Sequence, residues 1–326
     1  MIRKIITVSL AALIAVSAYA DEGMWLVNAI NRALEAKMQE RGLKLSARDI
    51  YDADAEGASL SDAILSLDFA CSGSVISEEG LVITNHHCAY SDVFSLSTPE
   101  HNYLEDGYWA FYQKDEIPIP GKGVQFLKRV IDVTEEANGL IAEYKANGLP
   151  LGSRKLSHLI ETKYHEETGY EASLYNMWSG SKYYLALYLE YKDVRLVAAP
   201  PVSIAAFGGD IDNWEWPQHK GDFAMYRIYT APDGSPAKYS ENNVPLKSAR
   251  KLEISLAGLK EGDFTMILGY PGKTSRYSSA PKVTSLVNVS LPAASIVRKA
   301  NMDITKRRMD TDPQTRLLYS DWFFSL

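Results

Sequence analysis

The stretch LVITNHHC, residues 81–88, ends a short apolar run in two histidines and a cysteine. The run predicts a buried strand, so His87 is expected where that strand ends. The other cysteine of the chain, Cys71, lies seventeen positions upstream. A bond between the two sulfurs would tie the histidine's loop to the strand that contains Cys71. It would hold the imidazole in one orientation, which a general base requires.

The first twenty residues predict a secretory signal peptide. Arg3 and Lys4 precede an apolar run over residues 5–16, and a small-x-small pattern ends at Ala20. The run is too short for a membrane span, so we expect cleavage after Ala20 and a periplasmic or secreted protein.

An exported compartment is oxidising, which makes a Cys71–Cys88 disulfide the default expectation. Two buried free thiols are the alternative. A metal pair is disfavoured because no further Cys/His pair lies at zinc spacing. The sequence predicts neither a metal nor a cofactor.

Composition and length set the broad class. The 326 residues are enough for two domains, and the ordinary proportions of apolar (46%) and charged (23%) residues predict a packed core. The net charge of −7 argues against a nucleic-acid partner and against anionic membrane surfaces.

Apolar periodicity predicts one helix followed by many short strands. Residues 23–41 place apolar side chains four apart and end at Gly42, which is typical of an amphipathic helix. A turn at residues 77–80 predicts a hairpin, and a second turn at 179–181 separates two later strands. The predicted strands are 69–76, 81–84, 124–133, 170–178, 183–191, 194–198, 223–229 and 264–268, with polar helices at 134–147 and 153–167. Such a series predicts an all-β barrel or sandwich with helices in the connections.

The character of the chain changes beyond about Ser279. Residues 296–309 predict a helix, with 311–322 as its continuation. We therefore divide the chain into a signal peptide (1–20), a β domain (21–278) and the beginning of a helical domain (279–326). Because Leu326 ends the chain within an apolar run, we expect a truncated product.

A second chemical candidate is Asp222, which lies between Gly221 and the predicted strand start at Phe223. An aspartate at a strand start is buried and still reaches a neighbouring loop. The orienting member of a Ser-His-Asp triad must do this, because it accepts the Nδ1 proton and stabilises the imidazolium. A turn or cap residue is the alternative for Asp222, and a structural residue beside a cysteine is the alternative for His87.

Five strings in the chain are long enough to be compared with known families: DEGMW (21–25), TNHHC (84–88), HNYLE (101–105), DNWxWPxH (212–219) and GDF (221–223). Together they resemble the bacterial dipeptidyl-peptidase 7/11 family, the S46 serine exopeptidases, over essentially the whole mature chain. The resemblance implies a mainly β fold, a chymotrypsin-like double β-barrel that is incomplete here, with an α-helical domain inserted into it. It also implies release of dipeptides from the free N-termini of peptides, and homodimers in full-length members.

The resemblance also implies roles for single residues. His87 would be the general base, Asp222 its orienting acid and His86 a non-catalytic neighbour. Asn213 and Trp214 fall where the family holds the substrate's α-amino group, since an amide oxygen accepts from an ammonium and an indole face attracts a cation. A turn residue and a core aromatic are the alternatives for these two.

The chain departs from the family pattern at the nucleophile. The family's serine lies in a Gly-x-Ser-Gly loop beyond position 326, and neither Ser72-Gly73-Ser74 nor Ser179-Gly180-Ser181 replaces it. We therefore expect the polypeptide to lack peptidase activity. In a double-barrel fold the C-terminal half would also supply strands to the core, so we expect open sheet edges and a polypeptide that is poorly soluble or partly unfolded.

Two other functions compete with this reading. An exported peptide-binding pseudoenzyme would keep amine recognition without the nucleophile. A zinc enzyme using His86, His87 and His101 is disfavoured, because adjacent histidines on a strand point to opposite faces.

Overall fold

The computed structural model describes residues 24–55, 57, 59–209, 217–272 and 278–326. In this part of the chain eleven strands form one sheet, and every strand pair in it is antiparallel. The strands are β1 (Ile64–Leu67), β2 (Cys71–Val75), β3 (Leu81–Thr84), β4 (Tyr108–Trp109), β5 (Ile117–Pro118), β6 (Val124–Asp132), β7 (Glu171–Met177), β8 (Lys182–Tyr191), β9 (Asp193–Ala199), β10 (Ala224–Thr230) and β11 (Val244–Pro245). Their order is β4-β9-β10-β3-β2-β1-β6-β8-β7, with β5 also on β9 and β11 on β10. The prediction of a mainly β fold with helices is confirmed at this level.

Ten α-helices fill the connections and the C-terminal part of the described residues. They are α1 (Arg32–Glu40), α2 (Ala47–Ile50), α3 (His86–Leu96), α4 (Tyr103–Asp106), α5 (Thr134–Ala146), α6 (Ser153–Thr168), α7 (Val202–Ala205), α8 (Ala280–Ser285), α9 (Leu291–Met309) and α10 (Pro313–Ser325). A π-helical segment, Leu286–Ser290, joins α8 to α9. No helix in the described ranges is long and apolar enough to cross a membrane.

The predicted hairpin between β2 and β3 is confirmed. Ser74 pairs with Ile83 and Val75 with Val82. Gly80 closes the turn with φ +66°, in the left-handed region, and a Cβ there would lie 2.9 Å from the Ile228 carbonyl oxygen. A glycine is needed at this position for both reasons.

Two hydrophobic clusters hold the elements together. The larger one joins the central strands to α3, with Val82, Val93 and Tyr226 fully buried in it. The smaller one packs α5 and α6 against β6 and β8, with Leu185 and Ile160 at its centre. The first cluster supports the end of β3, where the candidate site lies.

Four sequence predictions of secondary structure need correction. The N-terminal helix begins at Arg32, because the Asn31 side chain accepts from the backbone N–H groups of Ala33 and Leu34 and caps it there. Residues 264–268 form no strand ladder within the described ranges, and Ile267 is 98% exposed. Apolar alternation alone does not make a strand, because the backbone also needs a partner.

The third correction concerns the histidines, which lie in the first turn of α3 and not on a strand. At the other end of the chain, α9 contains the predicted helix 296–309. Asp312 caps a separate helix there, because its side chain accepts from the Thr315 N–H at 2.8 Å and Pro313 follows it. Residues 311–322 therefore do not continue α9.

Candidate active site

Strand pairing brings the two predicted catalytic residues to one edge of the sheet. Thr84, the last residue of β3, pairs with Ala224, the first residue of β10. Because the two strands run antiparallel, the residues that follow β3 and those that precede β10 meet at this edge. His87 lies three residues beyond Thr84, and Asp222 lies two residues before Ala224.

His87 and Asp222 form a hydrogen-bonded pair there. The distance from His87 Nδ1 to Asp222 Oδ2 is 2.7 Å. A carboxylate only accepts, so Nδ1 carries the hydrogen and Nε2 is the ring nitrogen left for proton transfer. The His87 side chain is 53% exposed, whereas that of Asp222 is 17% exposed. The carboxylate is thus partly withdrawn from water while the imidazole stays accessible.

The same carboxylate also caps helix α3. The backbone N–H of His87 donates to Asp222 Oδ1 at 3.0 Å. The N-cap residue, Asn85, makes no side-chain cap of its own, and its Nδ2 donates to the Asp222 carbonyl oxygen at 3.1 Å. A negative charge at a helix N-terminus is favourable, so one group anchors both the helix and its histidine.

The pair changes the ionisation of both partners. The hydrogen bond to Asp222 raises the pKa of His87 above its usual 6.5, although burial and the nearby charge of Lys220 oppose it. Burial raises the pKa of Asp222, but hydrogen bonds from the His87 ring and backbone outweigh burial, and the pKa of Asp222 lies below its ordinary value. Asp222 therefore stays ionised while His87 titrates.

His86 has a different environment from its neighbour. Only 2% of it is exposed, its ring packs edge-on against Tyr90 at 6.1 Å between centroids, and burial lowers its pKa. Its Nε2 has no hydrogen-bond partner among the described residues. A buried, neutral His86 suits a packing residue.

A disulfide joins Cys71 in β2 to Cys88 in α3, as predicted. Cys88 directly follows His87 in the first helical turn. The bond therefore ties the helix that carries the histidine to the β2–β3 hairpin.

Comparison with known proteins identifies the family of this chain. The family model described as Peptidase S46 matches residues 20–326. The chain belongs to the Peptidase S46 family. It is 42% identical over 311 residues to a dipeptidyl-peptidase 7 of Capnocytophaga gingivalis. The aligned residues cover 94% of this chain and 43% of that protein. An Asp/Glu-specific dipeptidyl-peptidase of Porphyromonas gingivalis is 41% identical over 310 residues, with 93% and 43% covered.

Solved S46 structures share the fold. The DPP11 of Porphyromonas endodontalis, in complex with the dipeptide Arg-Asp, matches with a TM-score of 0.87 and 37% identity. The match covers 94% of this chain and 44% of that one. The chain spans less than half the length of the relatives it matches.

The other residues with a predicted role in this S46 chain are Asn213, Trp214 and His101. Asn213 and Trp214 lie outside the described residues. His101 is exposed and its ring stacks on Tyr103. Within the described ranges no three His, Cys, Asp or Glu side chains are grouped so that they could hold a metal ion.

Asn85 fixes the Asp222 backbone and was not predicted from the sequence. Its position as an Asn before a helix start is the signal that could have found it. A recess of about 410 Å³, lined by Ser203, Ile204, Phe207 and His219, was also not predicted. The Gly221 N–H donates to the Ile204 carbonyl oxygen at 3.0 Å, which places α7 beside the aspartate.

Proposed function

We propose that this chain carries the general base and the orienting acid of a serine-type dipeptidyl aminopeptidase, which releases dipeptides from the free N-termini of peptides. The 2.7 Å contact between His87 Nδ1 and Asp222 Oδ2 carries the proposal. With its hydrogen on Nδ1, His87 accepts a serine proton at Nε2 and later returns it to the leaving amine. Asp222 holds the tautomer and stabilises the imidazolium that forms between these steps.

The relatives support the reaction class. Their names are dipeptidyl-peptidase 7 and Asp/Glu-specific dipeptidyl-peptidase, and P. endodontalis DPP11 has been solved with the dipeptides Arg-Asp and Arg-Glu. In this proposal Asn213 and Trp214 bind the substrate's α-amino group, which explains a requirement for a free N-terminus. The dipeptidyl-peptidase 7 and the Asp/Glu-specific relatives are about equally similar to this chain. We therefore propose a dipeptidyl peptidase without choosing between these two kinds.

The nucleophile is proposed to lie outside these residues. No serine hydroxyl in the described part of the chain hydrogen-bonds to His87, and the matched relatives are more than twice as long as this chain. We therefore propose that the 326 residues alone do not hydrolyse peptides, because losing the nucleophile costs about 10⁶ in turnover. The same proposal includes export of the protein after removal of residues 1–20 and dimers of the longer protein. It also includes a β-barrel domain over residues 21–278 and a helical domain that begins at residue 279.

The test uses two polypeptides, the chain alone and the chain extended along its own reading frame. Both are assayed with a dipeptidyl fluorogenic peptide and with its N-acetylated form. We expect no turnover by the chain alone, and turnover of only the free-amine substrate by the extended protein. His87→Ala should then abolish turnover, and Asp222→Asn should lower kcat by about 10⁴.

Two results would count against the proposal. Undiminished turnover in the extended His87→Ala variant would remove the histidine from the mechanism. Binding of free-amine peptides without hydrolysis by the extended polypeptide would favour the pseudoenzyme.

A further inference from the structure

A second set of charged groups lies under the helix that carries His87. Lys122, in the loop between β5 and β6, is buried, with 6% of its side chain exposed. Its Nζ lies 2.8 Å from Asp92 Oδ2 and 2.8 Å from Asp68 Oδ2. A buried ammonium requires such partners, so the three side chains act as one bridge.

Through Lys122 the bridge connects α3 to the β1–β2 turn, and the disulfide connects α3 to Cys71 at the start of β2. Asp68 lies in the turn between β1 and β2, three residues before Cys71. Asp92 lies in α3, four residues after Cys88. Helical residues four apart share a face, so Cys88 and Asp92 attach the same face of α3 to the β1–β2 hairpin at two points. One fastening is covalent and the other is ionic.

Both ends of the bridge are fixed further. The Tyr226 hydroxyl donates to Asp92 Oδ2 at 2.6 Å, from a side chain with no exposed surface. At the turn, the Gly123 N–H donates to Asp68 Oδ1 at 2.8 Å. Asp68 and Phe69 have φ angles of +50° and +57°, a conformation that only surrounding contacts maintain in such residues. The turn is therefore a rigid support and not a loose loop.

We propose that Lys122 is a positioning residue for His87: through Asp92 and Asp68 it holds α3 on the β1–β2 turn in parallel with the disulfide. Either tether alone keeps the first turn of α3 against Asp222, and loss of both releases it. The importance of this for catalysis rests on the proposed role of His87, whereas the tethering itself is testable without activity.

The decisive variant is Asp68→Asn, which removes the ionic part of the link to the turn and leaves at most a neutral acceptor there. Lys122 keeps Asp92 as its partner, so no buried charge is left alone. The change is made in the wild-type chain and in a Cys71→Ser/Cys88→Ser background. The readout is the pKa of His87 from NMR titration of the imidazole protons, with the signal assigned by its loss in His87→Gln.

We expect the raised pKa of His87 to persist in Asp68→Asn and in the two-serine variant, and to fall toward 6.5 when the changes are combined. Asp54→Asn in the two-serine background is the matched control, because it breaks an exposed ion pair (2.8 Å) with Arg129 in β6, which includes no residue of α3. It should leave the titration of His87 unchanged. An ion pair that only stabilises the fold would not single out this histidine.

A folded combined variant with the raised pKa of His87 intact would overturn the proposal. If the combined variant does not fold, amide hydrogen exchange in the Asp68→Asn and two-serine variants decides. Exchange in α3 should then rise by about tenfold or more, as expected for a lost charge-assisted contact, with α6 unchanged. An equal rise in α3 and α6 would overturn it. If activity assays of the extended protein exclude His87 as the base, the titration and the hydrogen exchange still test the tethering of α3 independently.

Discussion

At the scale of single residues, one carboxylate has two partners. Asp222 accepts from the His87 ring at 2.7 Å and from the His87 backbone at 3.0 Å. The helix cap and the ring contact therefore depend on the same carboxylate. This arrangement ties the position of the imidazole to the start of its own helix.

The stability of the chain should depend on pH through this pair. Because the pKa of His87 is raised on folding, the charged pair stabilises the fold fully below 6.5 and less as pH rises through the folded-state pKa. The difference in free energy of unfolding between wild type and His87→Gln should be larger at about pH 5.5 than at about pH 9. Urea unfolding at both pH values measures it, and the subtraction removes the contribution of His86. A difference that grows toward pH 9 would contradict the assignment.

At the scale of elements, the second hydrophobic cluster holds α5 and α6 on the sheet. Ile160 in α6 is 1% exposed and has no contact with the site described above. Ile160→Ala should lower the free energy of unfolding by about 2–5 kcal/mol through lost burial and a cavity. Leu149→Ala, at a side chain that is 55% exposed, should change it by about 0.5 kcal/mol or less.

Urea unfolding measures both changes, and the titration of His87 should be the same in both variants. Equal effects of the two substitutions would show that α6 does not pack as described.

The sequence predicted the site better than the elements around it. The apolar run before Asn85 and the glycine before Asp222 singled out the two residues, since strand ends follow from local pattern, and the family resemblance suggested that they form a pair. Helix α3 was missed, although Asn85 as a cap and the spacing of Ala89, Tyr90 and Val93 indicate it. The strand predicted at 264–268 is wrong because a strand also needs a neighbouring strand to pair with, which the local pattern does not reveal. The Lys122 bridge could not be predicted, because it joins residues from three separate segments.

At the scale of the whole molecule, apolar side chains remain on the surface in two regions. Residues 254–267 include Leu256 and Ile267, at 96% and 98% exposed. Exposed apolar side chains also lie on the C-terminal helical segments, including Val289, Ile296 and Leu318. Surfaces of this kind cause association in water.

We expect the 326-residue chain to self-associate at micromolar concentration and to bind a hydrophobic dye. Leu256→Lys with Ile267→Lys should reduce both without lowering the free energy of unfolding, because neither side chain is packed. Sedimentation velocity and dye fluorescence measure this. A compact monomer that binds no dye would contradict it.

NMR titration of His87 in the wild type and in Asp222→Asn tests whether Asp222 holds His87 as a base. Asparagine keeps the size of the side chain but removes its charge. We predict a pKa of His87 above 6.5 in the wild type and a clear decrease in Asp222→Asn. The same pKa in both proteins would contradict the account.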